Sequence, residues 1–117
     1  MKYLLLIYQD EAASARMNEE QQNALTKDYT AFMNELQQSG AMRGGEALQS
    51  TTAATTVRVR NGKPLTTDGP FAETKEQLGG YFVVECQDLD QAIKIASMIP
   101  DAKGGSVEVR PVADVGM

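Results

Sequence analysis

Residues 66–85, "TTDGPFAETKEQLGGYFVVE", join two different kinds of β-structure, and the reading of this stretch decides the fold. Before it lies a short hairpin. Val57 and Val59 alternate with Thr56, Arg58 and Arg60, Asn61-Gly62 supplies the positive φ angles of a two-residue turn, and Lys63 to Thr67 runs back. After it, Gly80 to Cys86 is apolar on both sides, with Tyr81 and Val83 opposite Phe82 and Val84. A strand of that kind needs cover above and below.

Working outward, residues 2–8 repeat the pattern: Tyr3, Leu5 and Ile7 point one way and Leu4, Leu6 and Tyr8 the other. Asn18, with Gln21 three residues on, forms a capping box for a helix that Gly40 ends. Leu25, Tyr29, Phe32, Met33 and Leu36 make its apolar stripe. Met42 to Leu48 reads as a weak strand in which Gly44-Gly45 marks a bulge or a close backbone approach. Asp88 caps a second helix with Leu89, Ala92, Ile93 and Ala96 on its buried side, and Pro100 stops it. Val107 and Val109 then alternate with Glu108 and Arg110 in a strand expected at a sheet edge.

This order is α+β, the ferredoxin-like βαββαβ pattern with an extra hairpin after the second strand. In that topology the first and third main strands form the central pair, and they are the two that are apolar on both faces. Two helices cover one face of such a sheet. The other face is expected to pair with a second copy of the chain, sheet against sheet, because exposed Leu and Val over that area would aggregate.

The totals narrow the function classes. A chain of 117 residues is one domain. The longest apolar run, Tyr3 to Tyr8, is far short of the ~20 residues of a membrane span and lacks the flanks of a signal peptide, so a cytoplasmic protein is expected. The net charge of −5 and scattered basic residues argue against a nucleic-acid partner, which needs a clustered positive patch. Cys86 is the single cysteine, in an apolar strand pattern, and reads as a small buried hydrophobe rather than a reactive thiol. Histidine is absent, which removes Ser–His, Cys–His and histidine–metal chemistry. No phosphate loop or Rossmann fingerprint is present, and no cofactor is expected.

The segment "DGPFAETKEQLGGYFVVE" at residues 68–85 resembles the signature of the YCII-related proteins, in the DGPF branch named for it. The likeness continues in "MKYLLLIYQDE", "TTVRVRNGK" and "SVEVRPV", and so covers nearly the whole chain. The resemblance implies a dimeric α+β barrel, two ferredoxin-like subunits paired through their sheets. It also brings a link to extracytoplasmic-function sigma factors, near which DGPF proteins are often encoded. The His–Asp pair suggested as catalytic in some relatives does not carry over to a chain without histidine.

Carboxylates, Lys, Tyr and Arg remain as candidates. Asp68, at the sharp turn into the central strand, has three readings. As a corner, it accepts backbone hydrogen bonds in an Asx-turn while Gly69 supplies unusual φ and Pro70 fixes the exit. As a general base, it works with Glu73 and with Lys75 holding an anionic group. As a ligand of a hard cation it would act with Glu73 and Glu76, the weakest of the three, and no metal is expected. Gly79-Gly80 either starts the strand through a bulge or lets a ligand approach the backbone. Tyr8, Asp10 and Tyr81 are expected to line a pocket, against the plainer reading of both tyrosines as core aromatics with wet tips. The leading functional expectation is a homodimeric domain that binds a small molecule. The alternatives are a cofactor-free lyase, isomerase or oxygenase using Asp68 as base with Tyr8 or Lys75 stabilising negative charge, and an accessory protein that contacts a sigma factor.

Overall fold

In the computed structural model, which describes residues 1–115, the two strands that are apolar on both faces lie side by side. They are β1 (Lys2–Gln9) and β5 (Gln77–Glu85). β2 (Met42–Ala47) flanks β5 and β6 (Ser106–Pro111) flanks β1, giving the antiparallel order β2-β5-β1-β6. β3 (Thr55–Arg60) and β4 (Lys63–Asp68) form a separate two-stranded ribbon. Three helices complete this α+β fold: a short α1 (Glu11–Ala15), not foreseen from the sequence, the long α2 (Glu19–Ser39), and α3 (Leu89–Met98).

The caps form where the sequence places them. The Asn18 side chain accepts the Gln21 N–H at 2.8 Å, and the Gln21 amide accepts the Asn18 N–H in return. Gly40 closes α2 with φ 75°. At α3 the Asp88 carboxylate accepts the Gln91 N–H at 2.9 Å, while Gln91 reaches one residue further back, to the N–H of Gln87.

One face of the sheet is packed and the other is not. Tyr3, Leu5, Ile7, Phe82 and Val84 are buried under α2 and α3, against Phe32, Leu36, Ala92, Ile95, Ala96 and Ile99. The Phe32 and Phe82 rings meet edge to face at 5.3 Å. The stripe of α3 differs from expectation: Ile95 is buried, whereas Leu89 and Ile93 stand about half exposed. Ala92, Ile95, Ala96 and the buried Ile99 share one i, i+3, i+4, i+7 line, and it is this line that faces the core. On the reverse face the cross-strand pairs Leu4–Val83 and Leu6–Tyr81 are only half-buried, and no helix lies over them. The molecule is accordingly a slab 48 × 45 × 18 Å, thin enough for one sheet and one layer of helices.

The hairpin projects from this slab. Asn61 and Gly62 adopt φ 53° and 75°, the turn expected of Asn-Gly. Val57, Val59 and Leu65 are more than half exposed. The radius of gyration, 16.3 Å, exceeds the roughly 13 Å of a compact chain of this length, as a projecting ribbon requires.

Glycine sets how closely β2 approaches β5. A Cβ on Gly80 would lie 2.9 Å from the Glu46 carbonyl oxygen, and one on Gly45 would lie 2.8 Å from that of Tyr81. The register shifts once in β2, between Met42 and Gly44, and once between Ile7 and Tyr8, where Gly79 is the extra residue on β5. Both Gly-Gly pairs therefore combine a bulge with a close backbone contact. Cys86 is buried as expected, and burial pushes its thiol pKa up, which disfavours the thiolate.

Because a backbone oxygen cannot swing aside, Gly80→Ala is expected to lose about 1–3 kcal/mol in urea unfolding. Gly44→Ala, whose Cβ would meet nothing within 4 Å, is expected to stay within about 0.5 kcal/mol of the parent. Equal losses at the two positions would contradict the close-approach account.

Candidate functional site

The apolar stripe of α2 brings one polar atom with it. Leu25, Tyr29 and Met33, spaced by four residues, follow the side of the helix that faces β5 and β2, and the Tyr29 ring ends in a hydroxyl. Across from it, Pro100 ends α3 and begins a 3₁₀ turn, Pro100–Ala102, that points the chain back toward β1. The Asp101 carbonyl accepts the Gly105 N–H at 2.7 Å, which fixes this turn. The Tyr29 hydroxyl donates to Asp101 Oδ2 at 2.5 Å. The Gln9 amide, oriented with its nitrogen toward Asp101, donates to the two carboxylate oxygens at 2.9 and 3.1 Å.

These three side chains stand at the polar end of a cavity of about 500 Å³ between α2 and the sheet. Its walls are apolar side chains of Ile7, Leu25, Met33 and Phe82, with the backbone of Gly45, Gly79 and Gly80. Among the described residues, no Lys or Arg lines it. Burial raises the pKa of Tyr29 above the ordinary tyrosine range, and its hydrogen bond to Asp101 and the carboxylate's charge raise it further. Tyr29 is therefore a neutral donor at any physiological pH, and its oxygen keeps lone pairs free to accept.

A second cavity of about 770 Å³ lies at the base of the hairpin, bounded by Tyr8, Leu78, Thr51 and Ala54 and by Pro70 and Phe71 of the DGPF segment. Its frame is tied by Glu11, whose carboxylate accepts the Thr51 N–H and O–H at 2.8 and 2.7 Å and whose own N–H donates to Gln77 at 2.9 Å.

The residues singled out in the sequence fall into separate places. Gly79, Gly80 and Tyr81 line the first cavity, although strand alternation turns the Tyr81 ring to the face opposite Phe82. Tyr8 lines the second. Asp10 caps α1, accepting the N–H groups of Ala12 and Ala13 at 3.0 and 3.3 Å. Asp68 ends β4 opposite Thr55, exposed, and Glu73 and Lys75 are exposed in the following loop; none of the three lines either cavity. The corner at Asp68 is held by other atoms than expected. Gly69, at φ 98°, donates its N–H to the Ala54 carbonyl at 2.7 Å, and its own carbonyl accepts the Thr56 hydroxyl at 2.8 Å. Glu76 accepts the Ser106 hydroxyl at 2.8 Å. Among the described residues, no three carboxylates or thiols are grouped to hold a metal ion.

Gln9, Tyr29 and Asp101 were not anticipated as a site. Tyr29 carries a faint signal, a hydroxyl on an otherwise apolar stripe. Asp101 carries none, because it meets Tyr29 across 72 residues of chain.

The YCII-related domain matches residues 1–115. An uncharacterised protein of Rhizobium meliloti (strain 1021) is 37% identical over 115 residues, covering 97% of this chain and 93% of that protein.

The Tyr29 shift has a testable sign. A pKa raised in the folded state contributes stability that is full below the unfolded tyrosine value near 10 and is lost as pH climbs through the higher folded value. In an alkaline titration followed by tyrosinate absorbance, one of the four tyrosines is expected to ionise late, together with unfolding. Tyr29→Phe is expected to delete that late step alone. A late step that persists in Tyr29→Phe would assign the shift to another ring.

Proposed function

The chain belongs to the YCII-related family, and on that premise we propose that it is a cytoplasmic homodimer that binds a small organic molecule between α2 and the sheet. One observation carries the reading: an apolar cavity of about 500 Å³ with three polar side chains, Gln9, Tyr29 and Asp101, converging at one end. Small-molecule sites are of this size and build, with apolar walls and a few oriented polar groups. The enzyme reading with Asp68 as general base has less support, because Asp68, Lys75 and Tyr8 are not gathered around one space.

The proposed subunit is ferredoxin-like with an added hairpin, of the DGPF branch, and it pairs sheet to sheet as a dimeric α+β barrel. The strand order β2-β5-β1-β6 supports this topology, and the uncovered pairs Leu4–Val83 and Leu6–Tyr81 support the pairing. A two-stranded ribbon is at best marginally stable alone in water, so the exposed Val57, Val59 and Leu65 also favour cover from a second chain. The helices leave no candidate membrane span: among the described residues none is long and apolar enough to cross a bilayer.

Light scattering is expected to give twice the 12.7 kDa chain mass. Leu6→Asp or Val83→Asp places a charge on the uncovered face, and each is expected to yield monomer or to cost several kcal/mol of dimer stability. A stable wild-type monomer would remove the dimer and leave the apolar ribbon for a different protein, the accessory role that the family resemblance implies.

The cavity has its own test. Ala47 lies exposed on β2 at the cavity's edge, so Ala47→Trp is expected to fill the space and keep the fold. Small apolar alcohols and amines are expected to raise the melting temperature of the parent by mass action and to leave Ala47→Trp unmoved. Equal shifts in both proteins would place the binding elsewhere.

A further inference from the structure

The reading of the α2 cavity as a binding site can be sharpened by its charge and by the direction of its hydrogen bonds. Tyr29 donates its only O–H to Asp101, and the Gln9 nitrogen, 2.9 and 3.1 Å from the two oxygens of the same carboxylate, shares one N–H between them. What the cluster offers to a guest is therefore chiefly acceptor capacity, on the Asp101 carboxylate and the Tyr29 oxygen, beside the one remaining Gln9 N–H. A carboxylate has roughly four lone-pair positions, three of which are occupied here, and the Tyr29 oxygen keeps its own. Among the described residues, no Lys or Arg lines the cavity to balance Asp101. Lys75, expected from the sequence to hold an anionic group, is exposed in the loop before β5 and does not line the cavity.

From these observations we infer that the cavity selects an apolar primary amine in its ammonium form, with its head on Asp101 and Tyr29 and its body along Leu25, Met33 and Phe82. The inference rests on the binding reading above and adds the class of ligand. An ammonium supplies three donors and the opposite charge, so it satisfies the acceptors that the cluster presents. The aromatic rings of Tyr29 and Phe82 line the same space and favour a cation over an anion. A carboxylate or phosphate meets the reverse on each count: it brings no donor, it faces Asp101 at hydrogen-bonding range, and no cation is present to hold it. The net charge of −5 acts in the same direction at longer range.

Three probes with one apolar body and different heads test the inference by calorimetric titration at neutral pH: 2-phenylethylamine, 2-phenylethanol and 3-phenylpropanoate. The ammonium is expected to bind about tenfold more tightly than the alcohol, a difference worth ~1.4 kcal/mol, and the carboxylate is expected to give no heat of binding. In Asp101→Asn the amine is expected to fall to the level of the alcohol, while the alcohol changes little. Tyr29→Phe, which keeps the charge, is expected to retain the preference for the amine. Gln9→Lys provides a second variant that neutralises Asp101 from the position of its present partner, and it is expected to abolish the preference even if Asp101→Asn does not fold. Binding of 3-phenylpropanoate as tight as that of the amine, or a preference that survives both Asp101→Asn and Gln9→Lys, would overturn the charge selectivity and leave the cavity as a binding site. Absence of binding by all three probes would overturn the inference together with the reading on which it rests.

Discussion

The pairing of β1 with β5 is the constraint from which the rest of the structure follows. Each strand is apolar on both faces, and their pairing places two layers of large side chains back to back through the sheet. Leu5 and Val84, on the inner layer, are fully buried. The helices and their connections satisfy that layer alone. With α2 and α3 on one side, no helix among the described residues lies across Leu4, Leu6 and Val83, and β3 and β4 are committed to the projecting hairpin. The thin slab is the geometric statement of this shortage, and the proposed dimer is its simplest remedy, because one copy of the chain carries the same deficit as the other.

The same sheet determines where a cavity can form. β2 comes close to β5 only because Gly45 and Gly80 carry no side chain, and at this edge the sheet presents backbone where other strands present Leu or Val. α2 passes over this edge with Leu25, Tyr29 and Met33, and these side chains bound a space rather than filling it. The bulge that inserts Gly79 opposite Ile7 and Tyr8 brings the Gln9 side chain against Gly79, where a Cβ would lie 3.1 Å from the end of its amide group. A larger residue at position 79 would therefore press on one of the three groups that meet at Asp101. The glycines serve strand packing first, and the cavity inherits its shape from them.

Much of the fold was legible because its determinants are local. Alternation identified β1 and β5, Asn18 and Asp88 marked helix starts, and Asn61-Gly62 fixed the hairpin register, each through contacts within a few residues. Legibility declined with sequence separation. The face of α3 differs from the reading at Leu89, Ile93 and Ile95, and the buried line runs on to Ile99, beyond the helix end, where a reading of the helix alone does not reach. At the Asp68 corner the chain turns as read, but Gly69, Ala54 and Thr56 hold it, a contact between the two ends of the ribbon that a local Asx-turn argument does not contain. The Tyr29–Asp101 pair lay furthest from view. Each residue alone has an ordinary local role, one as an aromatic in a stripe and the other in a turn after Pro100, and only the packing of α2 against the end of α3 makes them partners.

The DGPF segment belongs to the second cavity rather than the first. Its Phe71 is 80% exposed, far more than any aromatic anchored in its own subunit, and it lies beside Pro70 at the rim that Tyr8 and Leu78 also line. Tyr8 and Leu78 are a cross-strand pair on the uncovered face of the sheet. The rim of this cavity is thus continuous with the surface that the proposed dimer would cover, and the exposed residues of the hairpin continue it further. Burying a phenylalanine contributes about 1.5–3 kcal/mol, so a surface that gathers Phe71 with Leu6 and Val83 has a strong drive to associate. On this argument the segment would serve the proposed assembly, and the polar cluster in which Asp101 meets Tyr29 lies on the opposite side of the sheet.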